Sequence, residues 1–200
     1  MNYLVFDTSG THLTVALKVN GKLHKIYKEN CGMQHSTTLM PAIENLLLQA
    51  KITVSQLDFI AVCVGAGSFT GIRIGISTAK ALCYASGVKC LAVTSFDALA
   101  YDKEYGDLIA VIDAKHGLYY VQEFEKFMPK EAMFVSKNQL EIMSKNKKIV
   151  CFTDIDLEHE KGDICNGIIN AVEKKQGQAT NNLESLTPLY IRKSQAEENR

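Results

Sequence analysis

The chain has no surplus of charge: 22 Lys+Arg balance 22 Asp+Glu among 200 residues. No bulk field therefore draws it to phosphate backbones or to anionic membranes, which argues against a stand-alone nucleic-acid binder. It also lacks paired cysteines. Cys31, Cys63, Cys83, Cys90, Cys151 and Cys165 never form a C-x-x-C, and most sit inside apolar runs such as Ala-Val-Cys63-Val. Such residues read as buried small hydrophobes of a reducing cytosol, not as disulfides or zinc ligands. No apolar stretch approaches a membrane span, and the start, Met1 to Asp7, has no basic leader, so a cytoplasmic protein is expected. No two of His12, His24, His35, His116 and His159 lie three or four residues apart, and only Cys31 stands at that distance from one of them, His35, so no helical metal site is expected. No cofactor is expected either, and no period of ~20–50 residues marks a solenoid.

What is present is an α/β pattern with 46% hydrophobic residues, enough to fill real cores. Tyr3–Phe6, Leu13–Val19 and Lys22–Tyr27 read as strands, the last two joined by Asn20-Gly21, a strong hairpin signal. A helix over about 36–50 follows, then a strand over 59–64, a Gly-rich turn, a helix over about 70–86 closed by Gly87, and a strand over 90–93. Strand, strand, strand, helix, strand, helix, strand is the order of a ribonuclease-H-like unit, with helical crossovers between its later, parallel strands. Residues 1–100 are expected to form this lobe. After a polar stretch over 101–107, a smaller lobe over 101–200 is expected. It should hold a strand pair over 108–112 and 118–124, helices over 137–144 and 164–174, and a strand over 149–152.

Two turns could carry chemistry. In Gly65-Ala66-Gly67-Ser68-Phe69-Thr70-Gly71-Ile72-Arg73-Ile74-Gly75, between strand and helix, free N–H groups at a helix start would suit an anion. A tight β-to-α turn that requires small residues explains the same run, and spacing does not separate the two. It is neither a Walker A loop nor a dinucleotide fingerprint. Asp7-Thr8-Ser9-Gly10 follows the first strand, where sugar kinases and actin-like ATPases place an acid and hydroxyls near phosphates and Mg²⁺, and Asp113 repeats the arrangement in the second lobe. Ordinary turn chemistry selects the same residues. Asp7, Ser9, Gly67, Ser68, Thr70 and Asp113 are thus the candidate remnants of a nucleotide site, and an ATPase or kinase is the alternative function. A metallopeptidase has no support in these residues.

The helices carry a different signal. Leu39, Met40, Ala42, Ile43, Leu46, Leu47 and Ala50 span an arc wider than the ~100° stripe of one core contact. On the second helix Ile72, Gly75, Ile76, Ala79, Leu82 and Cys83 share a face, and Ile74, Ala81 and Ala85 form an opposing strip of mostly small residues. Two apolar faces imply a neighbour, unless sheet and sister helix consume both. Leu39, Ile43, Leu46, Leu47, Ile72, Arg73, Ile76, Ala79, Leu82 and Cys83 are the candidate partner-interface residues.

The run 65–75 closely resembles the GPGSFTGLRIG motif of the TsaB (YeaZ) family, with Ala66 in place of proline. Phe6-Asp7-Thr8-Ser9, His35-Ser36-x-x-Leu39-Met40-Pro41, Ile112-Asp113-Ala114-Lys115 and Pro188-Leu189-Tyr190-Ile191-Arg192-Lys193-Ser194-Gln195-Ala196-Glu197 match further family segments in order. The resemblance implies a two-lobed actin and sugar-kinase-like fold. It also implies a non-catalytic partner of TsaD, which transfers threonylcarbamoyl to adenosine 37 of ANN-decoding tRNAs. A TsaE-like ATPase would complete the assembly, with tRNA reached only through the complex and a homodimer formed when the chain is alone. TsaD-like relatives carry an H-x-x-x-H metal pair where this chain has Ser95 and Leu99, which cannot hold a metal. The first two helices would form the TsaD interface. Lys115 replaces the family's arginine, keeping the charge and losing the bidentate fork.

Overall fold

The computed structural model describes residues 1–191; the Arg192–Glu197 part of the tail motif lies outside the described residues. Strands β1 (Tyr3–Asp7), β2 (Leu13–Val19) and β3 (Lys22–Lys28) form the expected meander. Asn20 (φ 49) and Gly21 (φ 82) both take the left-handed conformation that a two-residue hairpin turn requires. Helix α1 (His35–Ala50), β4 (Phe59–Cys63), α2 (Phe69–Ser86) and β5 (Lys89–Val93) complete a sheet of order β3-β2-β1-β4-β5, in which β1, β4 and β5 are parallel. Lys51 (φ 56) ends α1, and Gly87 (φ 73) ends α2.

Strands β1, β2, β4 and β5 are apolar almost throughout because both faces are covered, while β3 at the edge is mostly polar and exposed. Leu4, Phe6, Val15, Leu17, Ile60 and Val62 face α1 and α2. Tyr3, Val5, Ala16, Phe59, Ala61 and Cys63 face α5 (Ile164–Lys175), a helix from the far end of the chain. The tail also returns to this sheet. Thr180 bridges Cys90 at the β5 edge, Leu186 is fully buried in the α1/α2 core, and the Leu189 N–H donates to the Val64 carbonyl at 2.8 Å. A cut at residue 100 therefore separates the two sheets but not their cores.

The second sheet contains β6 (Leu108–Asp113), β7 (Leu118–Glu125), β8 (Met128–Ser136), β9 (Lys148–Cys151) and β10 (Glu160–Lys161) in the order β10-β9-β6-β7-β8. Helix α4 (Lys137–Met143) precedes β9. This is the first sheet's plan again: an antiparallel meander, then parallel strands on the other side of its first strand. The repeat lies in topology, not in sequence.

Helix α3 (Ser95–Tyr101) and strands β8 and β10 escaped the sequence reading. Helix α3 is announced by a capping box, with Asp97 N–H on Thr94 Oγ1 at 2.9 Å and Thr94 N–H on Asp97 Oδ2 at 2.8 Å. Strand β8 was hidden because its turn uses Lys126 (φ 49) and Phe127 (φ 64) instead of Asn or Gly. The Phe127 ring stacks on Tyr101 at 5.4 Å and anchors a stretch that the sequence presents as linker. No helix among the described residues is long and apolar enough to cross a membrane.

Candidate functional site

The Gly-rich loop, the β1 turn and the β6 turn meet over a cavity of about 400 Å³ between the two sheets. Ser9, Gly67, Ser68 and Asp113 line it, with Lys115, Tyr120 and Phe152. Asp7 lies beneath, fully buried, and Thr70 is exposed on α2 away from the cavity. The loop's glycines answer to close packing. A Cβ on Gly67 would sit 2.2 Å from the Ser9 carbonyl oxygen, which already accepts the Ser68 N–H at 2.6 Å. The Gly71 N–H is taken by the Ser68 hydroxyl at 3.2 Å, which caps α2. The tight-turn explanation thus accounts for these residues.

The two acids share one arrangement. Asp7 Oδ1 accepts the Ser9 N–H at 2.7 Å, and Asp113 Oδ1 accepts the Lys115 N–H at 2.8 Å. Asp7 Oδ2 pairs with His12 Nε2 at 3.1 Å, and Asp113 Oδ2 with Lys115 Nζ at 2.8 Å. Each carboxylate, at the end of the first strand of its sheet, is bonded by the amide two residues on and by a base from its own turn. The residues present therefore do not fit the Mg²⁺ expected of a nucleotide site, since a metal would have to displace both bases.

Burial raises the cost of charging Asp7, yet bonds from His12 and Ser9 outweigh it and hold the carboxyl below its ordinary range. Burial likewise disfavours charge on His12, and Asp7 more than reverses it, so the imidazole titrates above its ordinary 6.5. Nearby His35 is pushed the other way, chiefly by burial. The His12 contribution to stability is complete below pH ~6.5 and is lost as pH rises through its raised value; that of Asp7 is lost only as pH falls through its lowered one. Urea unfolding at pH 6 and pH 9 should show this decline in the wild type. His12→Leu should cost about 3 kcal/mol at pH 6 and remove the decline; a variant with the wild-type slope would refute the pairing.

Ser95 and Leu99, which the resemblance sets where a metal pair was expected to be missing, are packed into the structure. Ser95 Oγ donates to the Ala66 carbonyl at 2.7 Å and lies 3.1 Å from Ser9 Oγ and 3.2 Å from Cys63 Sγ. Burial pushes the Cys63 thiol far up, so it stays protonated. Leu99 is fully buried beside Phe96, Leu108 and Val150.

The helix residues divide differently from the sequence reading. Leu39, Ile43, Leu46, Ile72, Ile76, Ala79 and Cys83 are spent inside the monomer, between the helices and the sheet, and Leu47 and Leu82 are half-buried against that core. Arg73 alone of the ten is exposed. The wide arc was therefore mostly core, because two helices side by side on one sheet each bury a flank as well as a base. A separate outward face remains: Leu48 (77% exposed) and Met40 on α1, and Tyr84 (84% exposed), Ala81 and Ala85 on α2. The periodicity found Ala81 and Ala85; Leu48 and Tyr84 were missed, being off the regular stripes.

The model of the family described as TsaD, tRNA N6-adenosine threonylcarbamoyltransferase, matches residues 24–140. The tRNA threonylcarbamoyladenosine biosynthesis protein TsaB of Buchnera aphidicola subsp. Schizaphis graminum is 32% identical over 127 residues, 60% of this chain and 59% of that protein. TsaB of Bacillus subtilis is 28% identical over 170 residues, covering 80% and 74% of the two chains. The crystal structure of a Pseudomonas aeruginosa protein described as uncharacterized with similarity to peptidase YEAZ superposes with a TM-score of 0.78. It is 21% identical and covers 96% of this chain and 99% of that one.

Proposed function

The chain belongs to the TsaD-type threonylcarbamoyltransferase domain family, in its TsaB (YeaZ) branch, and with that as premise we propose that it is the non-catalytic subunit that holds a TsaD-like paralogue. In this reading it serves the N6-threonylcarbamoylation of adenosine 37 in ANN-decoding tRNAs. It works in the cytoplasm with a TsaE-like ATPase, reaches tRNA only through the complex, and pairs with itself when alone.

The observation that carries the reading is the outward face of α1 and α2. Leu48 and Tyr84 lie largely in solvent although their rings and branches are apolar, and the small side chains of Ala81 and Ala85 let another helix approach closely. A helical seam of this kind suits the ~800 Å² per partner of a stable complex. Ser95 and Leu99, committed to packing, supply no ligand pair for the transfer chemistry itself. Size-exclusion chromatography of the chain with its cognate TsaD-like paralogue should give a stable complex; two separate peaks at micromolar concentration would refute the reading.

A second reading, an actin-fold ATPase or kinase, draws on the cavity that gathers Ser9, Gly67, Ser68 and Asp113. Against it stand the two acids, each already bonded to a base of its own turn. Calorimetry of the isolated chain with Mg-ATP should show no binding; a micromolar Kd would favour the second reading over the first.

A further inference from the structure

We propose that Arg73, held between Phe69 and Tyr190, is a preformed receptor for a carboxylate side chain of the TsaD-like paralogue, and that the C-terminal tail builds it. The proposal rests on the docking role given above to the outward face. The guanidinium carbon lies 3.8 Å from the Phe69 ring centroid and 5.9 Å from that of Tyr190. The two rings stack at 5.2 Å, and Arg73 Nε donates to the Tyr190 hydroxyl at 2.9 Å. Arg73 is the single arginine among the described residues and pairs with no carboxylate there, whereas many of the lysines do.

An exposed arginine ordinarily loses much rotamer freedom when it binds. Here cation–π contact and the Nε bond have already fixed it, and the two terminal NH₂ groups keep their N–H bonds for an acceptor. A planar fork of that kind matches a carboxylate bidentately. Its place on α2 extends the docking face by helical spacing, through Ser77, Ala81 and Tyr84. Those neighbours are apolar or small and add no row of cations, so the surroundings suit an acid within a protein seam and not an RNA backbone. Tyr190 is positioned by the tail: Leu189 N–H bonds to Val64, and Leu189 and Ile191 pack against the second lobe's core.

The test is binding of the full chain to the purified paralogue by calorimetry at low and moderate salt, with thermal melting to confirm folding. Arg73→Lys, Arg73→Gln and Tyr190→Ala should each weaken binding about tenfold or more, and Arg73→Gln should flatten the salt dependence. Tyr190→Phe, which keeps the ring and loses only the hydroxyl, should cost less than Tyr190→Ala. Wild-type binding with Arg73→Lys unchanged overturns the role of Arg73 and leaves the docking face standing. So does a loss of tRNA binding in Arg73→Gln with paralogue binding intact. Failure of the wild type itself to bind overturns both.

Discussion

Ala81→Arg should lower the affinity for the TsaD-like paralogue more than a hundredfold while leaving the melting temperature of the isolated chain within a degree or two. Ala81 is exposed on the outward face of α2, so a long cationic side chain there meets only solvent in the monomer. In a helical seam the same side chain either holds the partner away or carries an unpaired charge out of water, at a cost of about 3 kcal/mol or more. Calorimetry and size-exclusion chromatography read the loss, and wild-type affinity would show that α2 does not dock through this face. The contrast with Ala79 is sharp, because Ala79 lies two residues away and is fully buried against the sheet. Ala79→Arg should unfold the chain, so a lost complex in that variant says nothing about docking.

Gly71→Ala is expected to remove about 3 kcal/mol or more of stability, a large loss for one methyl group. The added Cβ would sit 1.9 Å from the Thr8 carbonyl oxygen and 3.0 Å from its carbon. Both neighbours are backbone, so no side chain can swing away. The contact is also tied from both sides: Thr8 Oγ1 donates to the Gly71 carbonyl at 2.7 Å, and the β1 turn is fixed by Asp7. Relief requires α2 to lift from the sheet, which opens the core around Ile72 and Ile76. Denaturant unfolding measures the effect, with Gly177→Ala as control because nothing lies within 4 Å of that position. A Gly71→Ala midpoint equal to the wild type would refute the close approach of α2 to β1.

Much of this architecture can be read from residue order. The Asn20-Gly21 turn, the apolar runs of β1 and β2, and the glycine that closes α2 are local signals, and the structure uses them as written. β8 was not legible, since its turn forces two ordinary residues into positive φ and depends on Tyr101 to hold Phe127 there. The burial of Ile76 and Ala79 was equally hidden, because periodicity gives the width of an apolar face and not what covers it. The tail motif could be matched by eye, but its grip on Arg73 depends on a contact 117 residues distant in sequence.

The first sheet is finished by parts made long after its strands: α5 covers its back, and Leu186 closes its front beside α2. A nascent chain that has emerged only as far as the fifth strand therefore has one apolar face of that sheet uncovered. Synthesis must run past Leu186 before that surface is sealed, so products ended before it should be cleared by proteases instead of competing for the partner.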